Sequence, residues 1–431
     1  MTAEIAIMNK EAVALASDSA VTATTATSQK IFTSANKLFS LSKYQPVGIM
    51  VYGSAIFMDV PWETIIKIYR NQLNKKKFDT LEKYAGDFVA FLDNGNTLFP
   101  KEVQDRHFKN SVHAYFMLLR KQIEDKVHER LDKEREIPKI EIEKIISTII
   151  KNHCENWEKV AHIPSVPSNF SKDLIRKHKN TIAESIKEVF EKLPLNEENS
   201  NRLFEIAGSL FSKFPEGIQK TDMSGIVIAG FGEKDTFPSL NSFDVEGIVD
   251  DKLKYREYIS RKIDFETSAT IIPFAQREMV HTFMEGINPE LETQMTGYLS
   301  EIFNKYPELI VENIEKFSGE EKETLKNKLK TVSEKILKDY KGHLESLKRE
   351  NYIDPVLGVV GMLPKDELAA MAESLVNLTS FKRKVTMESE TVGGPIDVAV
   401  ISKGDGLIWI KRKHYFKVEL NPQFTANYYK V

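Results

Sequence analysis

Whole blocks of this chain alternate in character, and that alternation constrains the fold more than any single motif. Short apolar runs bounded by turn formers give way to long charged stretches of helical periodicity. The order is strands, helices, strands, helices, strands over 431 residues. Residues 2–54 read as β, with runs at Ile5-Ala6-Ile7-Met8, Ala12-Val13-Ala14-Leu15-Ala16, Lys37-Leu38-Phe39-Ser40-Leu41 and residues 47–52. Between the second and third runs, residues 21–35 read as a Thr/Ser/Ala-rich loop, either a linker or a substrate-facing segment. From residue 62 the pattern turns helical, with Ile142, Ile145, Ile146, Ile149 and Ile150 at helical spacing. A second β block covers 225–231, 242–249 and 269–272. A second helical block then places Leu325, Leu329, Val332, Ile336, Tyr340 and Leu344 on one face. A helix opening near Pro364, with Asp366 and Glu367 in its first turn, leads to strands at 396–401 and 407–410. Two β blocks separated by helices predict an α+β chain of two packed sheets with helices outside. The charged helical stretches exceed an ordinary connection and read as insertions. The expected boundaries are sheet segments at 2–61, 221–287 and 351–431, with helical insertions at 62–220 and 288–350.

Composition narrows the function classes. With 29% charged residues, a net charge of −3 and no apolar run near the ~20 residues of a membrane span, neither a membrane nor nucleic acid is an expected partner. The N-terminus lacks the basic and apolar regions of a signal peptide, so a cytoplasmic location is expected. Cys154 is the one cysteine, which excludes an intramolecular disulfide or a multi-cysteine zinc site. No P-loop and no His-Glu-x-x-His occurs, and Gly230-Phe231-Gly232 lacks the third glycine of a dinucleotide fingerprint. His153-Cys154 reads as a packed pair in a helix. Neither a metal nor an organic cofactor is expected.

The informative segment is the extreme N-terminus. Thr2 follows Met1, and removal of Met1 is expected to leave Thr2 with a free α-amine beside its own hydroxyl. An α-amine ordinarily titrates at about 7.7–8.0, so it is partly neutral near pH 7. The neutral amine can take the hydroxyl proton, making one residue nucleophile and base. A second-position threonine is commonplace by itself. Its company gives it weight.

The segment Ala12-Val13-Ala14-Leu15-Ala16-Ser17-Asp18-Ser19-Ala20-Val21-Thr22 resembles the second strand and following turn of proteasome β-type subunits. Ala35-Asn36-Lys37-Leu38-Phe39-Ser40-Leu41 looks like that family's lysine-bearing strand, and residues 47–53 resemble the next strand, ending in the oxyanion-hole glycine. The Thr2-to-Asp18 interval matches the family's spacing; Lys37 lies a few residues further along than usual. Residues 226–234 and 243–247 are similar to its central strands. Residues 369–381 and Val392-Gly393-Gly394-Pro395-Ile396-Asp397 resemble its last helix and Gly-Gly turn, in the form of the ancestral-type bacterial homologues.

The resemblance implies an N-terminal nucleophile hydrolase, a four-layer α-β-β-α sandwich carrying two large helical insertions. It implies a threonine peptidase in which Thr2 attacks, Asp18 and Lys37 tune the hydroxyl and Gly53 donates to the oxyanion. A cationic Lys37 near Thr2 favours the alkoxide and depresses the α-amine pKa, and Asp18 supplies its counter-charge. Where the family usually has a serine before the central glycine and an aspartate and serine before the Gly-Gly, this sequence has Glu246, Ser389 and Val392. Glu388 or Glu390 is the expected substitute for the aspartate, with Ser389 supplying a hydroxyl and Glu246 a further candidate to support Thr2. A peptide or protein substrate, a homo-oligomer and an unfoldase or regulatory protein partner are implied. The alternatives are a small-amide acylase on the same fold, or a catalytically degenerate scaffold that binds proteins through its helical insertions.

Overall fold

Strand β1 (Ala3–Asn9) is apolar on both faces except at Glu4 and Asn9, because both faces are buried. Ala3, Ile5 and Ile7 face one core while Ala6 and Met8 face another. In the computed structural model, which describes residues 2–24, 29–93, 97–134, 136–215, 223–314, 316, 318–386 and 392–429, the chain continues through β2 (Ala12–Ser17) into a short hairpin, β3 (Val21–Thr24) and β4 (Gln29–Phe32). Then come β5 (Leu38–Ser40), β6 (Val47–Gly53) and the small pair β7 (Ile56–Phe57) and β8 (Val60–Pro61). Seven helices follow: α1 (Trp62–Leu73), α2 (Leu81–Asp93), α3 (Lys101–Glu134), α4 (Lys139–Lys159), α5 (Phe170–Lys177), α6 (Lys179–Phe190) and α7 (Glu197–Ser209). The second β block is β9 (Ser224–Gly230), β10 (Ser239–Val249), β11 (Lys252–Lys262) and β12 (Ala269–Ala275). Next are α8 (Glu278–Glu285), α9 (Pro289–Glu312), α10 (Gly319–Lys348), α11 (Asp354–Val360) and α12 (Lys365–Val385). The chain closes with β13 (Asp397–Ser402), β14 (Gly406–Lys411) and α13 (Pro422–Tyr429).

The result is a mixed α/β structure with two five-stranded antiparallel sheets, in the orders β12-β1-β2-β13-β14 and β11-β10-β9-β6-β5. Each sheet draws strands from distant parts of the chain. The sheets share one apolar core, with Met8, Leu15 and Phe274 from the first and Met50, Val227 and Leu240 from the second. The other face of the first sheet packs Ile5, Ala14 and Val398 with Leu368, Ala372 and Val376 of α12 and Val280 of α8. The other face of the second packs Ile49, Ile226 and Val245 with Ile65 and Tyr69 of α1 and Tyr84 and Phe88 of α2. Helices α3 to α7 have a core of their own around Phe108, Phe116, Ile150, Trp157, Leu203 and Ile206.

Several elements differ from the sequence expectation. The segment 21–35 holds the β3–β4 hairpin as well as loop. Strand β11 has no counterpart in the expected elements, because as a sheet edge it carries Lys252, Arg256, Glu257, Arg261 and Lys262, which mask its alternation. The apolar face expected on α10 is half-buried at Leu325 and Leu344 and exposed at Val332 and Ile336. Its neighbour α9 likewise leaves Leu291, Met295, Tyr298, Ile302 and Leu309 exposed at helical spacing. Pro364 stands at the N-cap of α12, with Asp366 and Glu367 in the first turn and Lys382, Arg383 and Lys384 in the last, in accord with the helix dipole. Among the described residues, no helix is long and apolar enough to cross a membrane.

One glycine is dictated by packing beside the N-terminal end of β1. Gly225 of β9 lies directly across from Tyr52 of β6, and a Cβ there would overlap the Tyr52 ring. The Gly225→Ala substitution is therefore expected to destabilise the fold by about 1–3 kcal/mol through overpacking. Urea unfolding checks this; an unchanged midpoint would show that the Tyr52 ring is not held against that strand.

Candidate active site

Side chains on one face of a strand recur every second residue, so Thr2 precedes Glu4, Ala6 and Met8 on the inter-sheet side of β1. Its carbonyl accepts the Gln276 N–H at 3.1 Å, which ties the residue to the end of β12. Thr2 is 3% exposed.

Two other strands bring charge to this point. Lys37 stands just before β5, and its carbonyl accepts the Val51 N–H of β6 at 2.9 Å. Its ammonium donates to Thr2 Oγ1 at 3.0 Å and to Asp18 Oδ1 at 2.6 Å. Asp18 follows β2, and both partners are buried. The carboxylate also accepts Ala3 N–H at 3.2 Å on Oδ1, and Ala20 N–H at 3.2 Å and Gly393 N–H at 2.9 Å on Oδ2. Four donors fix the acid, and the acid fixes the lysine. Thr2 Oγ1 accepts a charge-assisted bond, an arrangement that stabilises negative charge on that oxygen.

The remaining residues singled out from the sequence lie as follows. Gly53 ends β6 opposite Ser224, with φ +83°, and a Cβ there would overlap the Met223 carbonyl. Only glycine accommodates that backbone path. Glu246 is an ion-pair partner of Lys254 at 2.7 Å, and the same ammonium donates to the Leu210 carbonyl just past α7. Its carboxylate thus anchors the helical segment to β10, where the sequence pattern had placed it in support of Thr2. Glu388, Ser389 and Glu390 lie outside the described residues.

Sequence reasoning missed three groups. The Gly393 N–H caps Asp18, so the glycine pair serves the acid as well as the turn. Asp397 opens β13 and is fully buried; it accepts from Arg412 at 3.0 Å, from the Lys413 ammonium and from the Lys413 N–H at 2.9 Å. Most notable is Glu4, fully buried in β1. Burial pushes its carboxyl up to about 8; Asp18 adds to the rise, while Lys37 and the Ser17 hydroxyl oppose it. A lone acid in the run Ala3-Glu4-Ile5-Ala6-Ile7 was the available signal.

Other reactive groups lie apart from Thr2. His153 bonds Tyr115 and Gln122 while Cys154 points to Glu205, so the two do not form a dyad. Burial and Glu205 push the Cys154 thiol up to about 12, the opposite of an activated thiolate. Among the described residues, Asp105, His178 and Asp250 converge closely enough to consider a metal, but Lys177 already pairs with Asp250.

No protein-family model and no curated protein matches this chain. Among solved structures it is similar to Anbu (ancestral beta-subunit) from Yersinia bercovieri, at 9% identity and TM-score 0.27, covering 99% of this chain and 94% of that one. It is also similar to an Anbu (Gly-1) mutant from Hyphomicrobium sp. strain MC1, at 8% identity and TM-score 0.27 with the same coverage. A superposition that loose carries no argument about function. The geometry has to.

The Asp18 cage makes a stability prediction. The Asp18→Ala variant leaves the Lys37 ammonium buried without its counter-charge and is expected to lose about 3–5 kcal/mol. Equilibrium unfolding at neutral pH measures it, and a loss below about 1 kcal/mol would mean that water reaches Lys37.

Proposed function

We propose that this protein is a threonine-type peptidase built as a four-layer α-β-β-α N-terminal nucleophile hydrolase sandwich, with 288–350 as one insertion and the expected insertion 62–220 beginning only at α3, because α1 and α2 supply the helical layer over the second sheet. The observation that carries the reading is the 3.0 Å bond from Lys37 to Thr2 Oγ1, made by an ammonium that buried Asp18 holds at 2.6 Å. Core packing supports the layered fold, since each sheet meets the other on one face and helices on its opposite face.

In this mechanism Met1 is removed and the α-amine of Thr2 is the base. It takes the Oγ1 proton as Oγ1 bonds to the scissile carbonyl carbon. Lys37 stabilises the oxygen as negative charge develops, and the Gly53 N–H donates to the tetrahedral oxyanion. The protonated α-amine returns its proton to the leaving amine as the C–N bond breaks, which leaves an ester on Thr2. Water, deprotonated by the same amine, attacks the ester; the acid departs and Oγ1 regains its proton. The substrate is a peptide or unfolded protein segment. Homo-oligomerisation, or docking of an unfoldase or regulatory protein, would cover the exposed apolar stripe of α9.

Turnover of a fluorogenic peptide library by three purified forms tests this reading. Thr2→Ala is expected to abolish hydrolysis while leaving the circular dichroism spectrum intact. Lys37→Ala is expected to cost at least ~100-fold, the scale of losing an electrostatic group at the reacting atoms. Undiminished turnover by Thr2→Ala would place the chemistry elsewhere.

A further inference from the structure

A buried carboxyl with one oxygen left unpartnered among the described residues sits one side-chain step from the proposed nucleophile. Glu4 follows Thr2 on the same face of β1, about 7 Å along the strand. It points into the space between the sheets and is 0% exposed. Its Oε2 has no hydrogen-bond partner among the described residues. Its Oε1 lies 3.3 Å from Ser17 Oγ, and that hydroxyl also lies 3.1 Å from the Asp18 carbonyl.

The proton count at Ser17 favours a protonated Glu4. A hydroxyl has one proton to donate, and here two oxygens compete for it. The Asp18 carbonyl has no proton and must accept. While Glu4 is ionised, Ser17 has to divide its proton between Glu4 Oε1 and Asp18 O; once Glu4 is protonated, Ser17 donates to Asp18 O and Glu4 donates to Ser17 Oγ, so both contacts are made in full. A buried carboxyl with so few donors around it keeps its proton for the same reason that unpaired charges avoid apolar cores.

The groups facing Glu4 come from every neighbouring element. Thr2 lies on β1, Ser17 and Asp18 on and just past β2, and Lys37 before β5. Tyr52 of β6, whose hydroxyl is buried and has no hydrogen-bond partner among the described residues, and apolar Phe274 of β12 close the space. Asp397, with Arg412 and Lys413, stands beyond Ser17 in register on β13. With Glu4 neutral, the Lys37 ammonium answers to one carboxylate, Asp18, and keeps a donor for Thr2.

We propose that Glu4 is a positioning residue that acts through Lys37: protonated, it leaves the ammonium directed at Thr2 Oγ1, and ionised, it becomes a second counter-charge that draws the ammonium's field off that oxygen. The inference rests on the peptidase reading for its effect on rate but not for its effect on charge. Ionisation of Glu4 switches the site down as pH rises, whereas neutralisation of the Thr2 α-amine switches it up. The two give a bell whose alkaline limb belongs to Glu4.

Two measurements on the full chain test this with Glu4→Gln, which stays neutral and retains a donor for Ser17. The first is kcat/KM against pH from about 6 to 10. The wild-type protein is expected to lose activity above about pH 8, and E4Q is expected to move that limb upward by at least about one pH unit. An alkaline limb unmoved in E4Q would overturn the proposal. The second is the urea midpoint at about pH 5 and about pH 9. The Glu4 pKa is raised on folding, so its stabilising contribution is complete below the unfolded carboxyl value and is lost as pH rises toward about 8. The wild-type midpoint is expected to fall relative to that of E4Q between these pH values; a constant difference would overturn the buried neutral acid. A chain that turns over no peptide yet shows this pH-dependent difference would sink the peptidase reading and sustain the neutral Glu4.

Discussion

The buried pair of Lys37 and Asp18 is the interaction on which the arrangement around Thr2 depends. Two unit charges between two apolar sheets are tolerable only when each is fully satisfied. Asp18 reaches that state by taking backbone donors from Ala3, Ala20 and Gly393 as well as the ammonium. Those donors belong to β1, to the segment after β2 and to the turn before β13. Asp18 is therefore fully satisfied only where these distant stretches of chain meet, and its bonds hold them in register. Lys37 is what remains to be satisfied, and Thr2 Oγ1 accepts from it.

The two-sheet architecture provides the buried setting. Strands β1, β2, β6 and β9 are buried along nearly all of their length, so the field of one ammonium between them is weakly screened. The same burial raises the Glu4 carboxyl and leaves its Oε2 without a partner among the described residues. One physical condition thus accounts for both the cationic grip on Thr2 and the neutral acid beside it. The helical segments contribute little here. Helices α3 to α7 gather around their own core, joined to the sheets through Val249 of β10 and through Glu246, Lys254 and the Leu210 carbonyl.

Much of the sheet structure was legible because doubly buried strands are written as continuous apolar runs, as in Ala12-Val13-Ala14-Leu15-Ala16 and residues 225–231. The edge strand β11 was not: it carries charge at most positions that would show an alternation. In the site, Thr2, Asp18 and Lys37 could be picked out together because their order and spacing resembled a known arrangement, and the structure brings them within bonding distance. Glu246 misled because its place before a glycine said nothing of Lys254, which lies across a hairpin. Glu4 escaped because an acid in an apolar strand has no motif. It becomes visible only when its missing partner is seen.

The central claim is that Thr2 is an activated nucleophile with a free α-amine. Intact mass spectrometry of the purified protein, before and after an epoxyketone that reacts with both the hydroxyl and the amine of an N-terminal threonine, tests it most directly. The account predicts a mass that lacks Met1 and then rises by one reagent, with no adduct on Thr2→Ala. A protein that retains Met1, or that loses it and still takes no reagent while hydrolysing peptides, would contradict the account.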